Sequence, residues 1–336
     1  VVKVGRRLGV GVIGLGVGMA HISSFGSSSR TKIQAICDVD SARCSVAQKL
    51  VPDAVVSRDW REVVTSPNVD IVVVATPDSL HAEMIESAFH HKKHVFAEKP
   101  ICIASSELDH ISASLRRNPD LAFSANMVLR ANPALFELRR EIAEGSMGVV
   151  THLEASYLYG RFNRIADGWR GGQPRYSAML GGGIHMLDLS LWLLGERPLS
   201  VVGVGHSIAS TSRGHPIDDF ELAVLKFPSG KTATVTAVMA TAVPHSHVMT
   251  VHGTQQTFLM GPIGYQYVSS DGKAGTSLKD VPKKFDRSSI ALSFVDQILG
   301  IGQARVNAQE VLECTAVALA IRESIASSSE VFVRYP

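Results

Sequence analysis

The chain has 336 residues, 45% of them hydrophobic and 19% charged. At roughly 100–200 residues per domain that length implies two domains, and an ordinary apolar fraction excludes disorder. Lys and Arg number 33 against 31 Asp and Glu, a net +2 without a long basic run, which excludes a typical nucleic-acid binder.

Cys37, Cys44, Cys102 and Cys314 are scattered, without a C-x-x-C pair. That pattern suits core residues in a reducing compartment rather than a disulfide or zinc framework. No apolar stretch approaches the roughly 18 residues of a membrane span. The opening VVKVGRRLGVGVIG enters a strand pattern without the layout of a signal peptide. The expectation is a cytoplasmic protein with no metal, membrane or nucleic-acid partner.

In chain order, apolar runs predict strands at 8–14, 32–39, 54–56, 70–75 and 94–97, with helices at 19–28, 41–50, 60–64 and 81–91 between them. Near-continuous apolar strands separated by helices predict a parallel, doubly wound α/β sheet. Beyond residue 122 the pattern changes. A helix at 133–144 is followed by strands at 149–159, 200–207, 221–227, 231–239, 247–251 and 257–260. Thr232, Thr234 and Thr236 alternate with Ala233, Val235 and Ala237, the period of a half-buried strand. Pro228-Ser229-Gly230 predicts a hairpin turn. Helices at 290–300 and 309–326 and a strand at 331–334 complete an α+β domain with an open antiparallel sheet. The expected division is 1–123 and 124–336.

Gly14, Gly16 and Gly18 fall at the first strand-to-helix turn, with Val17 between the last two. Gly14 permits a tight turn, Gly16 close approach to a pyrophosphate, and the helix N-terminus offers N–H groups to that anion. Met19 takes the third fingerprint position. Asp38 ends the second strand, where a carboxylate accepts from ribose hydroxyls and repels a 2′-phosphate. NAD is therefore favoured, with NADP the alternative because Arg43 lies near. Asp38 reads equally as a helix N-cap, a role open also to Asp40 and Ser41. Thr76-Pro77 and Glu98-Lys99-Pro100 each follow a strand at the sheet's carboxyl edge, where ligands of such sheets bind.

GVIGLGVGMAH, CDVD, VDIVVVATPDSLHAEM and KKHVFAEKPI stand in the order of the glucose–fructose oxidoreductase and inositol dehydrogenase family (Gfo/Idh/MocA). Asn126-x-x-x-Arg130-x-x-Pro133 and Gly181-Gly182-Gly183-Ile184-His185-Met186-Leu187-Asp188 resemble its later segments. The resemblance implies an N-terminal Rossmann domain and a C-terminal α+β domain built on a large open antiparallel sheet. It implies hydride transfer between NAD(P) and a sugar, cyclitol or related alcohol, in a homodimer or homotetramer. It assigns Lys99 and His185 to catalysis, and Thr76, Pro77, His81, Glu98 and Asn126 to the cofactor side together with the glycine turn and Asp38. A cis Lys99–Pro100 bond is expected. Many members carry an acid four residues before the histidine; here that position is Gly181, so substrate contact falls to other groups. Tyr159, Trp169, Arg170, Tyr176 and Asp188 are the candidates beside Lys99 and His185. Tyr157, Arg161 and Arg164 flank the same loop, and read either as substrate contacts or as solvated side chains. His245 and His247 read as a sheet-edge or oligomer contact rather than a metal site. Two alternatives stand beside a sugar dehydrogenase: a reductase of an imine, dihydrodiol or tetrapyrrole, and a dinucleotide-binding sensor or subunit without turnover.

Overall fold

The computed structural model describes residues 7–168, 170–173, 176–212, 214, 217–270, 278–280 and 285–336. Contacts divide the chain into two compact units. One reaches to Val128 and takes back Asp286–Leu312; the other holds Leu129–Phe285 and Glu313–Tyr335.

In the first unit β1 (Leu8–Ile13), α1 (Gly18–Gly26), β2 (Thr31–Cys37), α2 (Ser41–Leu50), β3 (Val55–Ser57), α3 (Trp60–Thr65), β4 (Ile71–Val74), α4 (His81–His90), β5 (His94–Ala97), α5 (Ser105–Arg116) and β6 (Phe123–Ala125) alternate. The six strands form one parallel sheet in the order β3-β2-β1-β4-β5-β6. This is the expected Rossmann arrangement. The β-branched run of β4 is buried throughout, as a strand covered on both faces must be. Asp40 and Asp59 cap α2 and α3 by accepting from the amides of Ala42 and Arg61. Strand order reverses between β1 and β4, which opens a crevice outside their carboxyl ends. The later segment rejoins this unit through Phe294, whose ring lies 5.7 Å from Phe96, and through the Arg30–Asp296 ion pair. No local pattern marks that return.

The second unit opens with α6 (Pro133–Ala143), capped by Asn132. There follow β7 (Val150–Leu158), α7 (Phe162–Ala166), one π turn (Met179–Gly183) and α8 (Ile184–Leu194). Then come β8 (Ser200–His206), α9 (Ile208–Thr211), β9 (Phe220–Lys226), β10 (Thr232–Val238), β11 (Ser246–Gly253), β12 (Gln256–Gly261) and β13 (Gly264–Ser269). In chain order α10 (Ser288–Ile298), which belongs to the segment returned to the first unit, α11 (Ala308–Ser327) and β14 (Val331–Phe332) follow. The eight strands run β13-β12-β11-β7-β10-β9-β8-β14.

The expected antiparallel sheet is in fact mixed, because β7 and β10 pair parallel. Parallel neighbours need a long crossover, and the segment carrying α8 supplies it. The Pro228–Gly230 turn joins β9 to β10 as expected, with Gly230 at φ +85° and the Phe227 amide donating to the Lys231 carbonyl. Among the described residues no helix is long and apolar enough to cross a membrane.

Candidate active site

The crevice begins at Gly14. Its φ is +89°, and a Cβ there would stand 2.4 Å from the Ala75 carbonyl oxygen, so only glycine fits between the ends of β1 and β4. Gly18 starts α1 and sits so close to β1 that a Cβ would stand 3.0 Å from Val12 Cγ1. The close helix–strand packing therefore falls to Gly18, one place earlier than the usual fingerprint. Met19 instead lines a cavity of about 220 Å³ with Leu15, Ala42, Arg43 and Val46. Gly16 and Val17 are exposed on the turn.

Asp38 is buried. One carboxylate oxygen accepts from the Leu15 amide at 2.7 Å and the other from the Asp40 amide at 2.9 Å, while Arg43 Nη1 lies 3.7 Å away. The helix-cap role left open by the sequence belongs to Asp40, and Asp38 serves the glycine turn. A turn too tight for any Cβ, exposed glycine beside it, a fixed carboxylate and a small, largely apolar cavity all fit a dinucleotide. Gly14, Gly16, Val17, Gly18, Met19, Asp38 and Arg43 would hold its adenosine and phosphates.

Two strands along, Thr76 and Pro77 follow β4 and Glu98 follows β5. Glu98 Oε1 lies 2.8 Å from His21 Nε2 and accepts from Asn126 Nδ2 at 2.8 Å. Burial pushes this carboxyl up. The His21 hydrogen bond, the charges of His21 and Lys99, and the Asn126 amide outweigh it and bring the pKa down to about 2. Lys99 is half-buried beside this carboxylate, and the Lys99–Pro100 bond is cis, as expected. His81 is wholly buried, with Nδ1 2.7 Å from the Pro100 carbonyl and Nε2 2.8 Å from the Thr76 carbonyl. Its imidazole braces the turns that follow β4 and β5.

In the second unit, His185 lies in the first turn of α8, buried to 9% exposure. The π turn before it is built on three glycines with crowded neighbours. A Cβ on Gly181 would stand 1.9 Å from the Tyr176 hydroxyl, and one on Gly182 2.2 Å from the Tyr157 ring. Glu221, wholly buried on β9, accepts from Ser177 Oγ at 2.6 Å and from the Met179 amide, fixing where the π turn starts. Burial, against those two bonds, raises its carboxyl to about 7.

Asp188, expected at the substrate, is buried at 1% exposure and makes a two-point ion pair with Arg130, at 2.8 and 3.0 Å. Tyr159 is half-buried, stacked on Tyr157 at 6.2 Å, with the Arg161 guanidinium 4.7 Å from its ring centre. Arg170 bears electrostatically on Tyr157. Trp169 lies outside the described residues. His245 and His247 pack on each other at 5.1 Å and on Tyr157, an aromatic cluster on the sheet.

The family model described as oxidoreductase family, NAD-binding Rossmann fold, matches residues 8–126, and that of the GFO/IDH/MocA C-terminal domain matches residues 136–259. The chain belongs to the Gfo/Idh/MocA family. It is an NAD-binding oxidoreductase of that family. It is 30% identical over 250 residues, 73% of its length, to the 2,7-anhydro-N-acetylneuraminate hydratase of Escherichia coli K12. Over 233 residues, 67% of its length, it is 27% identical to the scyllo-inositol 2-dehydrogenase (NAD(+)) of Bacillus subtilis. Each alignment spans 65% of the relative's own length. The crystal structure of myo-inositol 2-dehydrogenase from Lactobacillus plantarum superposes with a TM-score of 0.84 at 19% identity, covering 98% of this chain and 100% of that one, which shows the shared fold.

Within this Gfo/Idh/MocA chain the sequence reading passed over His21 and Glu221, while Tyr176, a candidate in place of the acid missing at Gly181, fills the space beside that glycine. Glu221 carried a signal: it shares the strand parity of the buried Ala223 and Leu225, so a charge had to be accommodated inside. His21 shares the buried face of α1 with Gly18, Ile22 and Phe25.

Proposed function

We propose that this protein transfers a hydride between nicotinamide and a secondary alcohol or ketone of a sugar, cyclitol or nucleotide-sugar-like molecule. The end of β5 carries the reading. There a half-buried lysine follows a carboxylate pinned by His21 and Asn126, at the same edge of the parallel sheet where the glycine turn opens. Bound NAD supplies the hydride acceptor. Lys99 as an ammonium holds negative charge developing on the substrate oxygen. His185 exchanges the hydroxyl proton, a task suited to imidazole near neutral pH. Glu98 and His81 act on Lys99 indirectly, by fixing the strand ends around it. Relatives named for scyllo-inositol and 2,7-anhydro-N-acetylneuraminate, and a fold shared with a myo-inositol 2-dehydrogenase, support the carbohydrate class.

The test is a panel of sugars and cyclitols incubated with the protein and NAD or NADH, read by nicotinamide absorbance and by substrate mass together. The mass channel catches a reaction that leaves the nicotinamide unchanged at the end, since one relative is named a hydratase. Lys99→Ala and His185→Ala are expected to keep NADH binding and lose turnover. A native protein that binds NADH and alters nothing in the panel is a sensor or subunit instead.

A further inference from the structure

The second unit contains a cavity of about 540 Å³, within the roughly 300–1,000 Å³ of small-molecule sites. Its charged lining is entirely basic among the described residues: Arg161 and Arg164, with Asn163, Ser212 and Thr241 as polar neighbours. Both arginines are exposed. Neither meets a carboxylate among the described residues, whereas Arg30, Arg43, Arg61, Arg130, Arg140 and Arg197 each do. Asp219, behind α9, is buried and accepts from the Ser210 amide. With a whole-chain charge of only +2, this is a local concentration of unmatched positive charge.

A series of contacts leads from its rim to the π turn before the histidine. Arg161 rests on the Tyr159 ring at 4.7 Å, Tyr159 stacks on Tyr157, and Tyr157 packs against Gly182 in the turn that leads into His185. The cation–π contact holds one guanidinium at the cavity before any ligand arrives, so less freedom is lost on binding. Arg170 adds positive potential at Tyr157. At position 181, one turn before His185, stands glycine with the neutral Tyr176 phenol in the space of a side chain, so no carboxylate there repels an anion.

Resting on the function proposed above, we infer that the substrate is an anionic sugar whose charged group, a carboxylate or a phosphate, is held by Arg161 and Arg164 in this cavity. Guanidinium is the side chain suited to both groups, because its planar fork matches two oxygens at once.

Calorimetric titration of the NAD-loaded protein with D-glucuronate, D-glucose 6-phosphate and D-glucose tests the inference. At least one anionic sugar is expected to bind about tenfold or more tighter than D-glucose, with a preference that shrinks as salt is raised. The two anions distinguish carboxylate from phosphate. In Arg161→Gln and Arg164→Gln that preference should fall toward parity, and Arg161→Lys should restore it only in part. Circular dichroism checks that these surface variants stay folded. Equal binding of all three sugars, no binding of either anion, or an unchanged preference in both glutamine variants overturns the inference. Oxidation of a neutral cyclitol without anion binding defeats this inference and leaves the proposed function standing. Anion binding through the two arginines with no turnover of any sugar defeats the proposed function and leaves only the anion site standing.

Discussion

The Tyr176 hydroxyl stands 1.9 Å from the point that a Cβ on Gly181 would occupy, and the ring carbon bearing it stands 2.4 Å away. The phenol is buried at 6% exposure, so it has little room to withdraw. Gly181→Ala is therefore expected to destabilise by about 1–3 kcal/mol, the usual cost of overpacking. Combining it with Tyr176→Ala should recover part of that loss, giving a clear interaction energy in a double-mutant cycle read by urea unfolding. Strict additivity would show that the two residues do not share this space.

Much of this architecture was legible in the sequence because its signals are local. The buried run of β4 and the Pro228–Gly230 hairpin each depend on a handful of neighbouring residues. What escaped is long-range. The parallel β7–β10 pairing joins strands that have two others, β8 and β9, between them in the sequence, and no local period records which edge a strand will take. Asp188 illustrates the same limit at the site. It is one of several candidates for substrate contact in place of the acid missing at Gly181, while its ion-pair partner Arg130 lies 58 residues upstream. Tyr176 is another of the candidates to replace the acid missing at Gly181, and only packing singles it out as the group in that space.

The Arg130–Asp188 pair has both side chains at 2% exposure. Removing one partner strands a charge out of water, so Asp188→Leu is expected to cost about 3–5 kcal/mol. Replacing both, as Arg130→Met with Asp188→Leu, should cost much less, since no buried charge then lacks its counter-ion. Denaturant midpoints of the three proteins decide the matter. A double variant as unstable as the single one would mean that the pair is worth more than its desolvation.

Asp38 accepts from the Leu15 and Asp40 amides, one on the glycine turn and one at the start of α2. Asp38→Ala leaves both without that acceptor and removes the negative charge beside Arg43. NADH affinity is expected to fall about tenfold or more, while NADPH affinity falls less because the repulsion of a 2′-phosphate is gone. Fluorescence titration with each nucleotide measures the ratio. A native protein that prefers NADPH would overturn the assignment of Asp38 to the ribose.

Glu221 makes stability depend on pH, with a sign opposite to that of a salt-bridged carboxylate. Burial raises its carboxyl from the ordinary 4.5 to about 7 in the folded protein. Below 4.5 the group is protonated in both states, and its contribution to stability is complete. Between 4.5 and 7 the unfolded chain has released its proton while the folded one keeps it, so stability falls as pH rises. At 1.36 kcal/mol per unit the loss across this window is about 3 kcal/mol. Glu221→Gln stays neutral throughout and keeps an oxygen that can accept from Ser177 and the Met179 amide. Its stability relative to the native protein should therefore climb by about that amount between pH 4.5 and 7, and then level off. Urea unfolding of both proteins at several pH values reads this difference directly. A difference independent of pH would mean that the carboxyl ionises normally, and that the hold on the π turn before His185 is as firm with the anion as with the acid.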